Sequence, residues 1–115
     1  MRHTMRLRDD PYQKIRAGIK TFELRLYDEK RKQVRAGDLI EFENIATGEK
    51  LLAEVISLHV FSNFEELYAT LPLLSCGYTD KTVHTAHYTD MEAYYSKAEQ
   101  AQYGVVGIRV RLLAG

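Results

Sequence analysis

The sequence predicts an α+β domain: a small β-barrel or half-barrel of about five or six strands, with two or three short helices in the connections. Three observations carry this reading. Three segments alternate polar and apolar residues with the period of two that sends a strand's side chains to opposite faces. Helix-start patterns fall between the strands rather than in a block of their own. Finally, 115 residues make one domain's worth of chain, read here as a single unit spanning 1–115. Several curved antiparallel strands in so short a chain cannot bury their apolar faces in a flat sheet, so the sheet must curl.

Taken in order, His3 to Arg8 is a short strand candidate. Asp9-Asp10-Pro11 then reads as an acidic helix start with proline in its first turn. Tyr12, Ile15 and the more distant Ile19 give this helix an apolar side, and Gly18 stops it. From Thr21 to Tyr27 the chain alternates, with Phe22, Leu24 and Leu26 on one face and Thr21, Glu23, Arg25 and Tyr27 on the other. Asp28 to Arg35 is a basic connection, and Ala36-Gly37-Asp38 turns into an alternating strand over Leu39 to Glu43. Thr47-Gly48-Glu49 is a hairpin turn into a strand from Leu51 to Phe61. Ser62-Asn63-Phe64-Glu65 has capping-box spacing, which predicts a helix from about Asn63 to Thr70, ending before Pro72. Thr89-Asp90-Met91-Glu92 repeats that spacing and predicts a second helix, with Met91, Tyr95 and Ala98 on one side and Gly104 at its end. Val105 to Leu113 is a last alternating strand.

Composition narrows the function classes. The chain is 45% hydrophobic and 28% charged, ordinary for a globular protein, and no hydrophobic run exceeds three residues. That predicts no membrane-spanning helix and no secretory leader, and with the lone Cys76 a reducing, cytoplasmic setting. A net charge of zero argues against a bulk polyanion coat. The total nevertheless hides a split: residues 1–37 hold eleven Lys/Arg against five Asp/Glu, and residues 38–115 the reverse. Such asymmetry marks either a nucleotide-facing side or a surface whose opposite charges pair on folding.

No phosphate loop, dinucleotide glycine fingerprint, CxxC, HExxH or GxSxG is present, and no cofactor is predicted. Cys76, His84 and His87 lack a fourth partner and match no strong zinc spacing, so no metal site is assigned. The concentrated signal is Gly18-Ile19-Lys20-Thr21-Phe22-Glu23-Leu24-Arg25. Here a helix stops on glycine, a lysine stands where the strand begins, and Glu23 and Arg25 share a strand face with Thr21 and Tyr27. In water that row is an exposed ion pair worth about 0–1 kcal/mol. Lining a cleft, it is a polar recognition floor.

These residues resemble the motif Gly-x-Lys-x-x-Glu-x-Arg of the ASCH superfamily, the activating signal cointegrator homology domains, at Gly18, Lys20, Glu23 and Arg25. The surroundings agree: Asp10-Pro11-Tyr12, Leu26-Tyr27-Asp28, Arg35-Ala36-Gly37-Asp38, Phe61 to Glu65 and Tyr103 to Gly107, over nearly the whole chain. The resemblance implies a PUA-like barrel with a cleft beside the motif suited to RNA, a nucleotide or a nucleoside. It also implies that hydrolases occur among the relatives, one branch deacetylating acetylcytidine nucleosides and another member cleaving RNA. In the deacetylase branch a threonine holds the position of Glu23, and a carboxylate does not replace that hydroxyl as nucleophile.

Under a binding reading, Lys20 and Arg25 attract a phosphate or polarise a carbonyl, and Glu23 fixes Arg25 or accepts a base amine. Thr21 and Tyr27 extend that row. Tyr78, Tyr88, Tyr94, Tyr95 and Tyr103 supply a stacking wall, with Tyr88, just before a helix cap, the first choice to reach a ligand. Lys30-Arg31-Lys32 with Arg35 offers a basic patch to track a backbone. Under a hydrolase reading, Lys20 and Glu23 are the catalytic pair. Strand parity then requires a bulge between them, or a Lys20 that still belongs to the turn. A protein-interaction module presenting its acidic helices is the third reading.

Overall fold

The computed structural model describes residues 1–113. Its elements run β1 (Arg2–Leu7), α1 (Asp9–Arg16), β2 (Phe22–Leu26), β3 (Leu39–Asn44), β4 (Lys50–Phe61), α2 (Phe64–Thr70), α3 (Lys97–Tyr103) and β5 (Val105–Leu112). Short 3₁₀ segments occupy Arg31–Gln33, Leu73–Cys76, Val83–Thr85 and Tyr88–Ala93. The five strands form one mixed sheet in the order β1-β3-β4-β5-β2, with β1 parallel to β3 and the other pairs antiparallel.

The sheet curls into a half-barrel, and β4 is the hinge of that curl. Its first half pairs with β3 and most of its length with β5, and Ile56 is the extra residue of a β-bulge between Val55 and Ser57. A bulge sharpens the local twist and bends the strand that carries it. The curl brings the two edge strands toward each other, and the Arg25 guanidinium on β2 reaches across to the Arg6 carbonyl on β1 at 2.9 Å.

Two apolar cores follow. Inside the curl, Met5, Leu7, Ile40, Phe42, Val55, Val106 and Ile108 pack with Tyr12 and Ile15 of α1. On the other side of β2 and β5, Phe22, Leu24, Leu26 and Val105 pack against Phe64, Leu67 and Leu71 of the α2 segment. The part of the sheet made by β2 and β5 is thus covered on both faces, and Val105 to Ile108 are buried without interruption. Gly107 makes this possible, because a β-carbon there would collide with the Leu71 side chain. The alternation in sequence is real, but on β2 its polar face is not the water face: Glu23 is 3% exposed.

The helix starts differ in register from the sequence reading. Asn63, not Ser62, caps α2, accepting the Glu66 N–H at 2.9 Å, while Glu66 in turn accepts the Ser62 N–H at 3.2 Å. The single helix expected from Thr89 to Gly104 is two elements. His87 and Asp90 cap the 3₁₀ turn at Tyr88–Ala93, and Ser96 and Glu99 form a second capping box at the start of α3. Ser96-Lys97-Ala98-Glu99 is itself a start pattern, and two caps nine residues apart break a helix rather than extend it. Gln100, not Ala98, is the buried residue of α3. Ile19 is exposed rather than part of the apolar side of α1.

Gly104 joins α3 to β5 at φ +71°, and a β-carbon would stand 3.0 Å from the Phe61 carbonyl oxygen. Gly104→Ala should therefore cost about 1–2 kcal/mol, read as a lower urea midpoint at unchanged slope.

Candidate functional site

The site is built from the end of α1. Gly18, at φ +77°, ends the helix, and the Lys14 carbonyl accepts the N–H groups of Ile19 and Lys20, both at 3.0 Å. Thr21 then donates its N–H to the Ser75 carbonyl and accepts the Val110 N–H, each at 2.8 Å. This pins the turn, and Lys20 lies in it, ahead of β2. Strand parity does not apply to it, so its ammonium swings to the Glu23 side and lies 3.0 Å from Oε1. The other Glu23 oxygen takes Nη2 and Nε of Arg25 at 2.8 and 2.9 Å. The Lys20, Glu23 and Arg25 side chains are 10%, 5% and 15% exposed, so the charges are largely removed from water. Burial pushes the Glu23 carboxyl up, but the two cations outweigh it and hold the group below the ordinary carboxylate range.

These three residues line a cavity of about 650 Å³ at the open seam between β1 and β2. Arg6, Leu7 and Arg8 contribute from the end of β1, and Asp10, Pro11 and Lys14 from α1. Tyr68, Cys76, Gly77, Tyr78, Asp90, Met91, Tyr94 and Tyr95 line it from the other side, with Leu24 and Ile45 adding apolar surface. Gly77, at φ +113°, leaves room for the lysine: the Lys20 ammonium lies 3.9 Å from where a β-carbon would be. Lys14 bonds the Gly77 carbonyl at 2.8 Å and Asp10 at 2.9 Å. At the mouth, the Arg8 guanidinium sits 5.2 Å from the centre of the Tyr94 ring, and Tyr95 stacks on Phe64 at 6.0 Å. The lining holds five Arg/Lys against three Asp/Glu, a net positive pocket in a chain of zero net charge.

The charge split of the sequence resolves in two ways. Arg2 pairs with Glu41, Arg6 with Glu43 at 3.8 Å and Arg16 with Glu49 at 3.4 Å, so part of the basic excess is surface pairing between the two segments. Arg8, Lys14, Lys20 and Arg25 instead turn to the cavity. The Lys30-Arg31-Lys32 run and Arg35 are absent from its lining; Arg31 pairs with Asp28 and Lys32 with Glu29.

Of the residues singled out in sequence, the structure brings together Lys20, Glu23 and Arg25. Three others lie elsewhere. Thr21 borders a separate surface hollow with Arg109 and Arg111, Tyr27 packs against the inner core under Lys32, and Tyr88 packs against the outer core. β2 is only five residues long, Phe22–Leu26, so Thr21 and Tyr27 lie just outside it. Tyr78, Tyr94 and Tyr95 do line the cavity, whereas Tyr103, like Tyr88, packs against the outer core. Tyr68 and Asp90 were not foreseen; for Tyr68 the available signal was its spacing of four from Phe64 on α2. Cys76 also lines the cavity, but burial lifts its thiol to about 11 against a smaller opposing effect from Lys20, so it is not an activated nucleophile. His84 and His87 are exposed on the turns beyond, and among the described residues no group of three His, Cys, Asp or Glu converges.

A family model for the ASCH domain matches residues 5–114, the four motif positions included. The chain belongs to the ASCH domain family. Two solved structures agree with this ASCH domain over all or nearly all of its length. The crystal structure of hypothetical protein PH0355 has a TM-score of 0.82 and 30% identity, covering 98% of this chain and 100% of that one. The solution structure of protein PF0455 from Pyrococcus furiosus has a TM-score of 0.71 and 27% identity, with 100% of both chains covered. A search of the curated proteins finds no match. The curled five-stranded sheet with short helices is the PUA-like fold expected for an ASCH domain. No helix among the described residues is long and apolar enough to cross a membrane.

Proposed function

We propose that this ASCH domain binds RNA or a nucleotide by taking one unpaired nucleotide into the seam cavity. One observation carries the reading: Lys20 and Arg25 are held by a single buried carboxylate, Glu23, in a cavity walled by tyrosines. Fixing two cations before the ligand arrives lowers the cost of binding an anion or a carbonyl oxygen. Arg8 and Lys14 add positive charge for neighbouring phosphates, and Tyr94 and Tyr95 offer ring faces to a base. The volume falls in the range of small-molecule sites, and the open mouth suits a single strand better than a duplex.

Binding is preferred to hydrolysis because Glu23 has both oxygens engaged by cations and a lowered pKa, which makes it a weak general base. The test is a titration of wild type and Lys20→Ala with short single-stranded RNA and nucleoside monophosphates at low and moderate salt, with product analysis of the same mixtures. Lys20→Ala should weaken binding roughly tenfold and flatten the salt dependence, with no turnover in either protein. Absence of binding to every probe overturns the proposal. Turnover that is lost in Lys20→Ala replaces it with the hydrolase reading.

A further inference from the structure

Tyr68, Tyr78 and Asp90 come to the cavity from three segments: α2, the loop after the Leu73–Cys76 turn, and the Tyr88–Ala93 turn. One chain of hydrogen bonds joins them. Tyr78 donates its hydroxyl proton to Asp90 Oδ2 at 2.6 Å, and the two phenol oxygens lie 2.7 Å apart. A phenol has one proton to give. With that of Tyr78 committed to the carboxylate, the proton between the two phenols belongs to Tyr68. Burial pushes both phenols upward, Tyr68 to about 12, so both stay protonated at neutral pH.

Proton bookkeeping then fixes what this wall presents. Tyr68 has spent its proton and can only accept, and Asp90 adds only acceptor oxygens. Next to them is a donor, since the Lys20 ammonium lies against Gly77, the residue before Tyr78. We propose that the Tyr68-Tyr78-Asp90 relay reads the base of the bound nucleotide and selects an exocyclic amine over a carbonyl. The inference rests on the nucleotide-binding reading above. An amine has two N–H groups for the acceptor wall, and Lys20 faces a ring nitrogen or carbonyl beside it. A carbonyl placed at the wall sets lone pair against lone pair and leaves both sides unpaired.

Four probes test this: CMP against UMP and AMP against IMP, pairs that exchange an amine for a carbonyl with its accompanying ring N–H. Titrated into the wild type, CMP and AMP should each bind about tenfold or more tighter than the partner. Tyr78→Phe releases the Tyr68 proton toward the cavity and should shrink or reverse the preference. Tyr68→Phe removes one of the two acceptor groups and should shrink the preference while leaving UMP affinity nearly unchanged. Equal affinities in the wild type overturn the inference and leave the binding reading in place. No binding of any of the four overturns the inference, and with no binding of single-stranded RNA either it overturns the binding reading as well. A preference of undiminished size in both variants overturns the inference, because the relay is then not its source.

Discussion

Glu23→Ala should destabilise the protein by about 3–5 kcal/mol, a large share of the 5–15 kcal/mol typical of a folded domain. The loss comes less from the missing attraction than from what stays behind. Lys20 and Arg25 would be two buried cations without a counter-charge, and Arg25 would lose the partner that aims it across the seam at Arg6. A double-mutant cycle separates the two effects: Glu23→Gln with Lys20→Met should cost clearly less than the sum of the single changes. The same group shapes the acid limb of stability. Its folded pKa is lowered, so its contribution is complete above the unfolded-state value and is lost as the pH falls through the folded value. Glu23→Gln should therefore flatten the acid limb of a urea-midpoint-against-pH curve. A Glu23→Ala protein that unfolds at the wild-type midpoint would show that these charges are solvated after all.

Phe64→Ala is the second large effect, about 3–5 kcal/mol. Phe64 is fully buried where α2 meets β2 and β5, and its ring supports Tyr95 in a near-parallel stack at 6.0 Å. Removing it opens a void under the cavity wall, so the lower denaturant midpoint should come with a weaker near-ultraviolet tyrosine signal. Phe64→Leu, which refills most of that volume, should recover much of the stability without restoring the stack.

Much of this architecture is legible in the chain. The alternation of Thr21 to Tyr27 and the placement of Gly18 and Lys20 reveal β2, the turn before it and the shared face of Glu23 and Arg25, because strand parity is a local property. What parity cannot say is which face meets water. The burial of Glu23 follows from the curl of β4 around Ile56 and from the covering of β2 and β5 on both sides, which are relations between distant segments. The tyrosine wall was half visible for a similar reason. Tyr94 and Tyr95 lie between the elements capped by His87 and Ser96, and a single long helix would have aimed them differently. Tyr68 sits on a helix read correctly, but its role as a neighbour of Tyr78 appears only once the two segments meet.

A sheet that stops short of closing leaves two strands with one side of their backbone unladdered, and such edges are templates on which other chains can polymerise. In this protein β1 and β2 turn those edges toward each other, and a guanidinium bonded to the Arg6 carbonyl holds them in place. The bond that spans the seam therefore also guards the molecule against its own copies: what keeps the cavity in shape is what keeps neighbouring chains from adding a sixth strand.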